Sequence, residues 1–137
     1  MNEFDELLEI VAKLRVECPW DQEQTHESLA KHLIEESYEL LDAISKLNTS
    51  TESFDELKNE LGDVLLQIFL HSKIAEEKKF FNMSDVMANL RLKLIKRHPH
   101  IFEDVKLDSA EDVEKQWEKI KQQDSNSIFD DLNHSLP

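Results

Sequence analysis

Two short runs carry the residues best suited to chemistry, Glu35-Glu36-Ser37-Tyr38-Glu39 and Glu60-Leu61-Gly62-Asp63. Each holds carboxylates three residues apart, a spacing that puts both on one face of an α-helix. Such a pair repels itself mildly, and two pairs meeting across neighbouring helices would repel strongly without a cation between them. Oxygen-only donors favour a hard divalent ion, Mg²⁺ or Mn²⁺. One Glu-x-x-Glu in so acidic a chain is ordinarily a solvated helix face. The matching pair further along, and the chain's single glycine, Gly62, beside Asp63, set these two runs apart. An interior glycine costs a helix about 1 kcal/mol relative to alanine, so close helix packing or the close approach of another group to the backbone is expected there.

Other chemistries have less support. A di-iron carboxylate site requires two Glu-x-x-His motifs, and only Glu23-Gln24-Thr25-His26 has that spelling, at the fraying start of a helix. The single cysteine, Cys18, cannot form an intrachain disulfide and reads as a small buried hydrophobe in a reducing compartment. Neither Cys18 nor any serine shares a recognisable nucleophile motif with a histidine. His98-Pro99-His100 reads as helix termination and packing rather than as a metal site.

Helices must position the carboxylates, and the hydrophobic pattern supplies them. Asn2 can cap a first helix to about Val16, with Phe4, Leu7, Leu8, Val11 and Leu14 as its apolar stripe, and Pro19 ends that run. A second helix from about Thr25 to Asn48 carries Leu29, Leu33, Ile34, Leu41 and Ile44 and is roughly 30 Å long. The polar link NTSTES leads to a Ser53/Glu56 capping box and a third helix to about Lys79. There Leu57, Leu61, Val64, Leu65, Ile68 and Phe69 face a partner, while Glu56, Glu60, Asp63 and Gln67 line another side. Ser84 can cap a fourth helix, ended by His98-Pro99, and Ser109 a fifth, reaching about Gln123. The expected fold is therefore all-α, a bundle of about five helices built on a long antiparallel hairpin and completed by homodimerisation, because 137 residues bury only a modest core. We expect one domain over residues 1–137. The Ser-, Asp- and Asn-rich tail 124–137 is expected to be flexible, unless Ile128, Phe129, Leu132 and Leu136 dock it on a neighbour.

Charge narrows the partners. Thirty acidic residues against sixteen basic ones give a formal net charge of −14, which repels nucleic-acid polymers and anionic membranes. An anionic small molecule stays compatible if bound divalent ions and a few local cations invert the field within a site. Without a cationic leader or a run of about 18 apolar residues, the expected location is the cytoplasm.

The segments CPWDQEQTHESL, LIEESYELLDAI, ELGDVLLQIFLHSKIAEE and KLIKRHPHIF together resemble the MazG-type nucleotide pyrophosphohydrolases, from about Leu14 to Phe102, and more weakly through EKQWEKIK. The chain departs from the family pattern at Glu17 and Glu103, where members often have glycine. The resemblance implies an all-α fold in which long helices from two subunits assemble a bundle; the sequence leaves open whether such dimers pair into tetramers. It also implies hydrolysis of a nucleoside triphosphate to the monophosphate and pyrophosphate. It assigns Glu36, Glu39, Glu60 and Asp63 to the metal, and nucleotide contacts to Lys93, Arg97, Trp117 and Lys121. Both pairs have i, i+4 spacing, so Lys93 and Arg97 would project together, and Trp117 would stack on a base while Lys121 reaches a phosphate.

On this reading Mg²⁺ held by the four carboxylates lowers the pKa of a water that attacks phosphorus, with Glu35 as general base. The cations neutralise charge on the leaving group. The competing expectation from another class is a noncatalytic helical interaction module that keeps the fold without the chemistry.

Overall fold

The computed structural model describes the backbone of residues 1–103 and 106–135, with side chains described as far as Asp124. Among the described residues the chain is all-α: α1 (Glu3–Glu17), α2 (Pro19–Glu23), α3 (His26–Ser45), α4 (Thr51–Glu77), α5 (Met83–Arg97), α6 (Pro99–Phe102) and α7 (Ala110–Ser135). Five are the expected helices. The two additions, α2 and α6, start on Pro19 and Pro99, which terminate one helix and open the next because position N1 needs no N–H.

Short polar side chains cap the helices largely where the sequence places them. Asn2 Oδ1 accepts from Asp5 N at 2.9 Å, Thr25 Oγ1 from Ser28 N at 3.0 Å and Ser109 Oγ from Asp112 N at 3.1 Å. Two starts differ. Ser50, not Ser53, caps α4, its Oγ accepting from Ser53 N at 3.2 Å, while the Ser53 hydroxyl turns back to Asn48 O at 3.2 Å. Ser84 lies inside α5, because Asn82 and Asp85 exchange reciprocal bonds of 2.9 and 3.0 Å across the first turn. The last helix also runs past Gln123, to Ser135. That stretch holds neither glycine nor proline, and its polar residues disfavour a helix by less than about 0.7 kcal/mol each. The docking expected of Ile128, Phe129, Leu132 and Leu136 lies outside the described side chains.

The chain divides into two compact units, Met1–Val86 and Met87–Pro137. In the first, α3 and α4 pack as the expected hairpin, and α1 packs on α4. Val11, Leu29, Phe69, Leu70 and Ile74 form the core, flanked by Phe4, Leu7, Leu8 and Met83. Phe4 meets Phe69 edge to face at 5.9 Å. The expected partner face of α4 therefore splits: Phe69 is buried in this core, whereas Leu61, Leu65 and Ile68 stay exposed. The C-terminus of α4 closes through Lys79 at φ 64, with Phe80 N donating to Ala75 O at 3.0 Å. In the second unit no residue of α5 is buried, and Pro99 is. Among the described residues no helix is long and apolar enough to cross a membrane.

Candidate active site

The two helices of the hairpin bring their carboxylates together. One oxygen from each of Glu36, Glu39, Glu60 and Asp63 lies within 4.8 Å of the others. Glu36 and Glu39 are three residues apart on α3, Glu60 and Asp63 on α4, and the packing of the two helices supplies the rest. Repulsion between full charges at that separation is on the order of 3 kcal/mol per pair at an effective dielectric near 20. None of the four joins an ion pair among the described residues.

Two observations bear on what this cluster accepts. Glu36 Oε2 and Glu60 Oε2 are buried without a hydrogen-bond partner among the described residues, an arrangement that is costly for carboxylates unless a cation or proton satisfies them. The carboxyls of Glu36 and Glu60 are also held above the ordinary carboxylate range, by burial first and then by the charges of their neighbours, Glu39 foremost. An oxygen-only donor set with orphaned lone pairs fits a hard divalent cation. Gly62, beside Asp63, meets no close neighbour: a Cβ there would find nothing within 4 Å. The close helix contact allowed for at this glycine is absent among the described residues.

Glu35 stands outside the cluster. Its side chain is 63% exposed, and its Oε2 lies 3.5 Å from His32 Nδ1. His32 also meets Trp20 edge to face at 5.6 Å, so Trp20 of α2 touches α3, the helix that carries Glu36 and Glu39.

In the unit Met87–Pro137 the structure brings together two of the four expected nucleotide contacts. The Arg97 guanidinium lies over Trp117, 5.6 Å from the ring centre, and His98 meets that ring edge to face at 4.8 Å. Lys93 and Lys121 are exposed. Sequence reasoning missed Asp124, whose Oδ1 takes Lys96 Nζ and whose Oδ2 lies 3.7 Å from Arg97. The bond from Lys96 first, with the nearby charge of Arg97, holds its carboxyl below the ordinary range. The signal was helical phase: Asp124 lies seven residues beyond Trp117, on the same face if the helix continues past Gln123. Also missed was the His26–His71 pair, stacked at 4.9 Å with Nδ1 atoms 2.7 Å apart.

Residues 24–102 match the family model described as the MazG nucleotide pyrophosphohydrolase domain. The chain belongs to this family. Among MazG relatives it is 50% identical over 140 residues to the nucleoside triphosphate pyrophosphohydrolase/pyrophosphatase MazG of Thermotoga maritima, covering 98% of this chain and 51% of that protein. It is 41% identical over 145 residues to the nucleoside triphosphate pyrophosphohydrolase of Escherichia coli K12, covering 100% of this chain and 53% of that one. The chain thus spans about half the length of these curated relatives. The crystal structure of a mazG-related protein from Thermotoga maritima superposes with a TM-score of 0.69 at 27% identity, over 86% of this chain and 98% of that one. The MazG match contains all four clustered carboxylates as well as Lys93 and Arg97; Trp117 and Lys121 lie beyond it.

Proposed function

We propose that this chain is a Mg²⁺-dependent hydrolase that converts nucleoside triphosphates to nucleoside monophosphate and pyrophosphate. The observation that carries the reading is the meeting of four carboxylates on the α3–α4 hairpin with two buried oxygens left unpartnered. Membership of the MazG family, with relatives named as nucleoside triphosphate pyrophosphohydrolases, supports the reaction class.

Glu36, Glu39, Glu60 and Asp63 would hold the ion, and Mn²⁺ suits the same donors. When bound, the ion supplies charge neutralisation and polarises phosphate oxygens. Glu35 accepts the proton of the attacking water at its exposed carboxylate, which His32 Nδ1 steadies from 3.5 Å. Water adds to phosphorus at the α–β bridge, the bridging P–O bond breaks, and pyrophosphate leaves. Lys93, Arg97 and Lys121 bind the phosphates, and Trp117 supports Arg97 and the nucleotide.

We further propose that residues 1–137 act as one MazG domain, since the family match crosses the boundary between the two units, and that the chain works as a homodimer in the cytoplasm. Support for the dimer comes from two exposed apolar stripes on the hairpin. Ile34, Tyr38 and Leu41 repeat at i, i+4, i+7 on α3, and Leu61, Leu65 and Ile68 do so on α4.

The test is pyrophosphate release from a panel of nucleoside triphosphates with and without Mg²⁺. Release that needs the ion and disappears in both Glu39→Ala and Asp63→Ala, with folding intact, is the expected result. Silence across the whole panel would instead favour a noncatalytic helical interaction module.

A further inference from the structure

Within the unit Met87–Pro137, Arg97 lies between Trp117 and Asp124 and makes no hydrogen bond among the described residues. Its side chain is 13% exposed, its Nη2 lies 3.7 Å from Asp124 Oδ2, and its guanidinium carbon sits 5.6 Å from the centre of the Trp117 ring. Nε is buried and has no partner among the described residues. A guanidinium carries five N–H donors, and Asp124 engages only one end of it, through a contact longer than a hydrogen bond. Such a cation, held by an aromatic face and a carboxylate, is preorganised for an acceptor that arrives later.

We propose that Asp124 is a positioning residue: by holding Lys96 Nζ and the Nη2 end of Arg97, it keeps the guanidinium on Trp117 with its remaining donors available for phosphate oxygens. The inference rests on the assignment of Arg97 to phosphate binding under the proposed function. Asp124 touches neither the nucleotide nor the reacting atoms; it acts through Arg97. Its place seven residues beyond Trp117 in α7 puts both supports of Arg97 on one helix face, so a single rigid element sets the guanidinium's position.

The test compares wild type with Asp124→Asn and Asp124→Glu in two measurements, steady-state hydrolysis of a nucleoside triphosphate and calorimetric titration with tripolyphosphate in the presence of Mg²⁺. In Asp124→Asn, KM and the tripolyphosphate Kd should each rise about tenfold, the scale of one charge-assisted contact, with kcat within about twofold. Asp124→Glu should recover most of that loss. Unchanged or tighter tripolyphosphate binding in Asp124→Asn would overturn the inference, tighter binding by showing that the carboxylate competes with phosphate. So would equal losses in both variants accompanied by a lowered Tm, the mark of a purely structural role. If wild type turns over no nucleotide, the proposed function fails, and the tripolyphosphate titration still decides the role of Asp124.

Discussion

Arg15 and Glu77, 62 residues apart, meet through two parallel bonds, Nε to Oε1 at 2.9 Å and Nη2 to Oε2 at 2.8 Å. The same guanidinium donates to the carbonyls of Asp21 and, at 3.1 Å, Gln24. One side chain thus ties the end of α1 and the loop around α2 to the last turn of α4. Glu77→Gln should lower stability by only about 1–2 kcal/mol, because Glu77 is partly exposed, whereas Arg15→Met should cost about 3 kcal/mol by stranding both the carboxylate and the carbonyls. Urea denaturation measures both, and a larger loss in Glu77→Gln than in Arg15→Met would contradict the latch. The bond from Arg15 holds the Glu77 carboxyl below its ordinary value of 4.5. Its contribution is therefore complete above that pH and disappears as pH falls through the lower folded value, so the gap between wild type and Glu77→Gln should close in acid.

Cation binding offers a second prediction. An ion that binds only the folded chain at a hundred times its Kd stabilises it by about 2.7 kcal/mol, on the order of 5–10 °C in Tm for a chain of this size. Mg²⁺ should raise the Tm of wild type by that amount. Glu36→Gln, which removes one of the mutually repelling charges, should raise the Tm measured in EDTA and shrink the increment from Mg²⁺. An increment in Glu36→Gln as large as that of wild type would mean that the ion binds elsewhere.

The histidine pair predicts a pH dependence. Burial, and then the nearby His26 ring, depress His71 below its ordinary value of 6.5. A depressed folded pKa means that the unfolded chain binds the proton more readily, so stability is retained above pH 6.5 and declines as pH falls towards the lower folded value. His71→Phe, which keeps an aromatic ring against His26, should flatten this limb of the curve. If denaturation midpoints of wild type and His71→Phe fall in parallel between pH 7 and pH 5, the His71 assignment is wrong.

Self-association is checked most directly on the hairpin. Leu65→Glu places a charge in the middle of the exposed α4 stripe and should convert a dimer to a monomer in sedimentation equilibrium, leaving the helical circular dichroism in place. A wild type that sediments as a monomer at every concentration would remove the dimer from the proposal.

Much of this molecule was legible from residue types and local spacing. The 3.6-residue pattern of apolar residues placed the five main helices, and short polar side chains marked the starts at Asn2, Thr25 and Ser109, since both signals act over a few residues of chain. Glu36 with Glu39, and Glu60 with Asp63, were recognisable as pairs for the same reason. Competition between neighbouring caps was not legible: Ser50 and Asn82 prevailed over Ser53 and Ser84 because several side chains could satisfy the same N–H groups, and geometry selected among them. Tertiary structure alone decided that the two acidic pairs converge within 4.8 Å with buried oxygens, that Asp124 meets Arg97, and that His26 stacks on His71. Those meetings depend on the rotation and registry of packed helices, which are set by how side chains interlock across distant segments and leave no local trace in the order of residues.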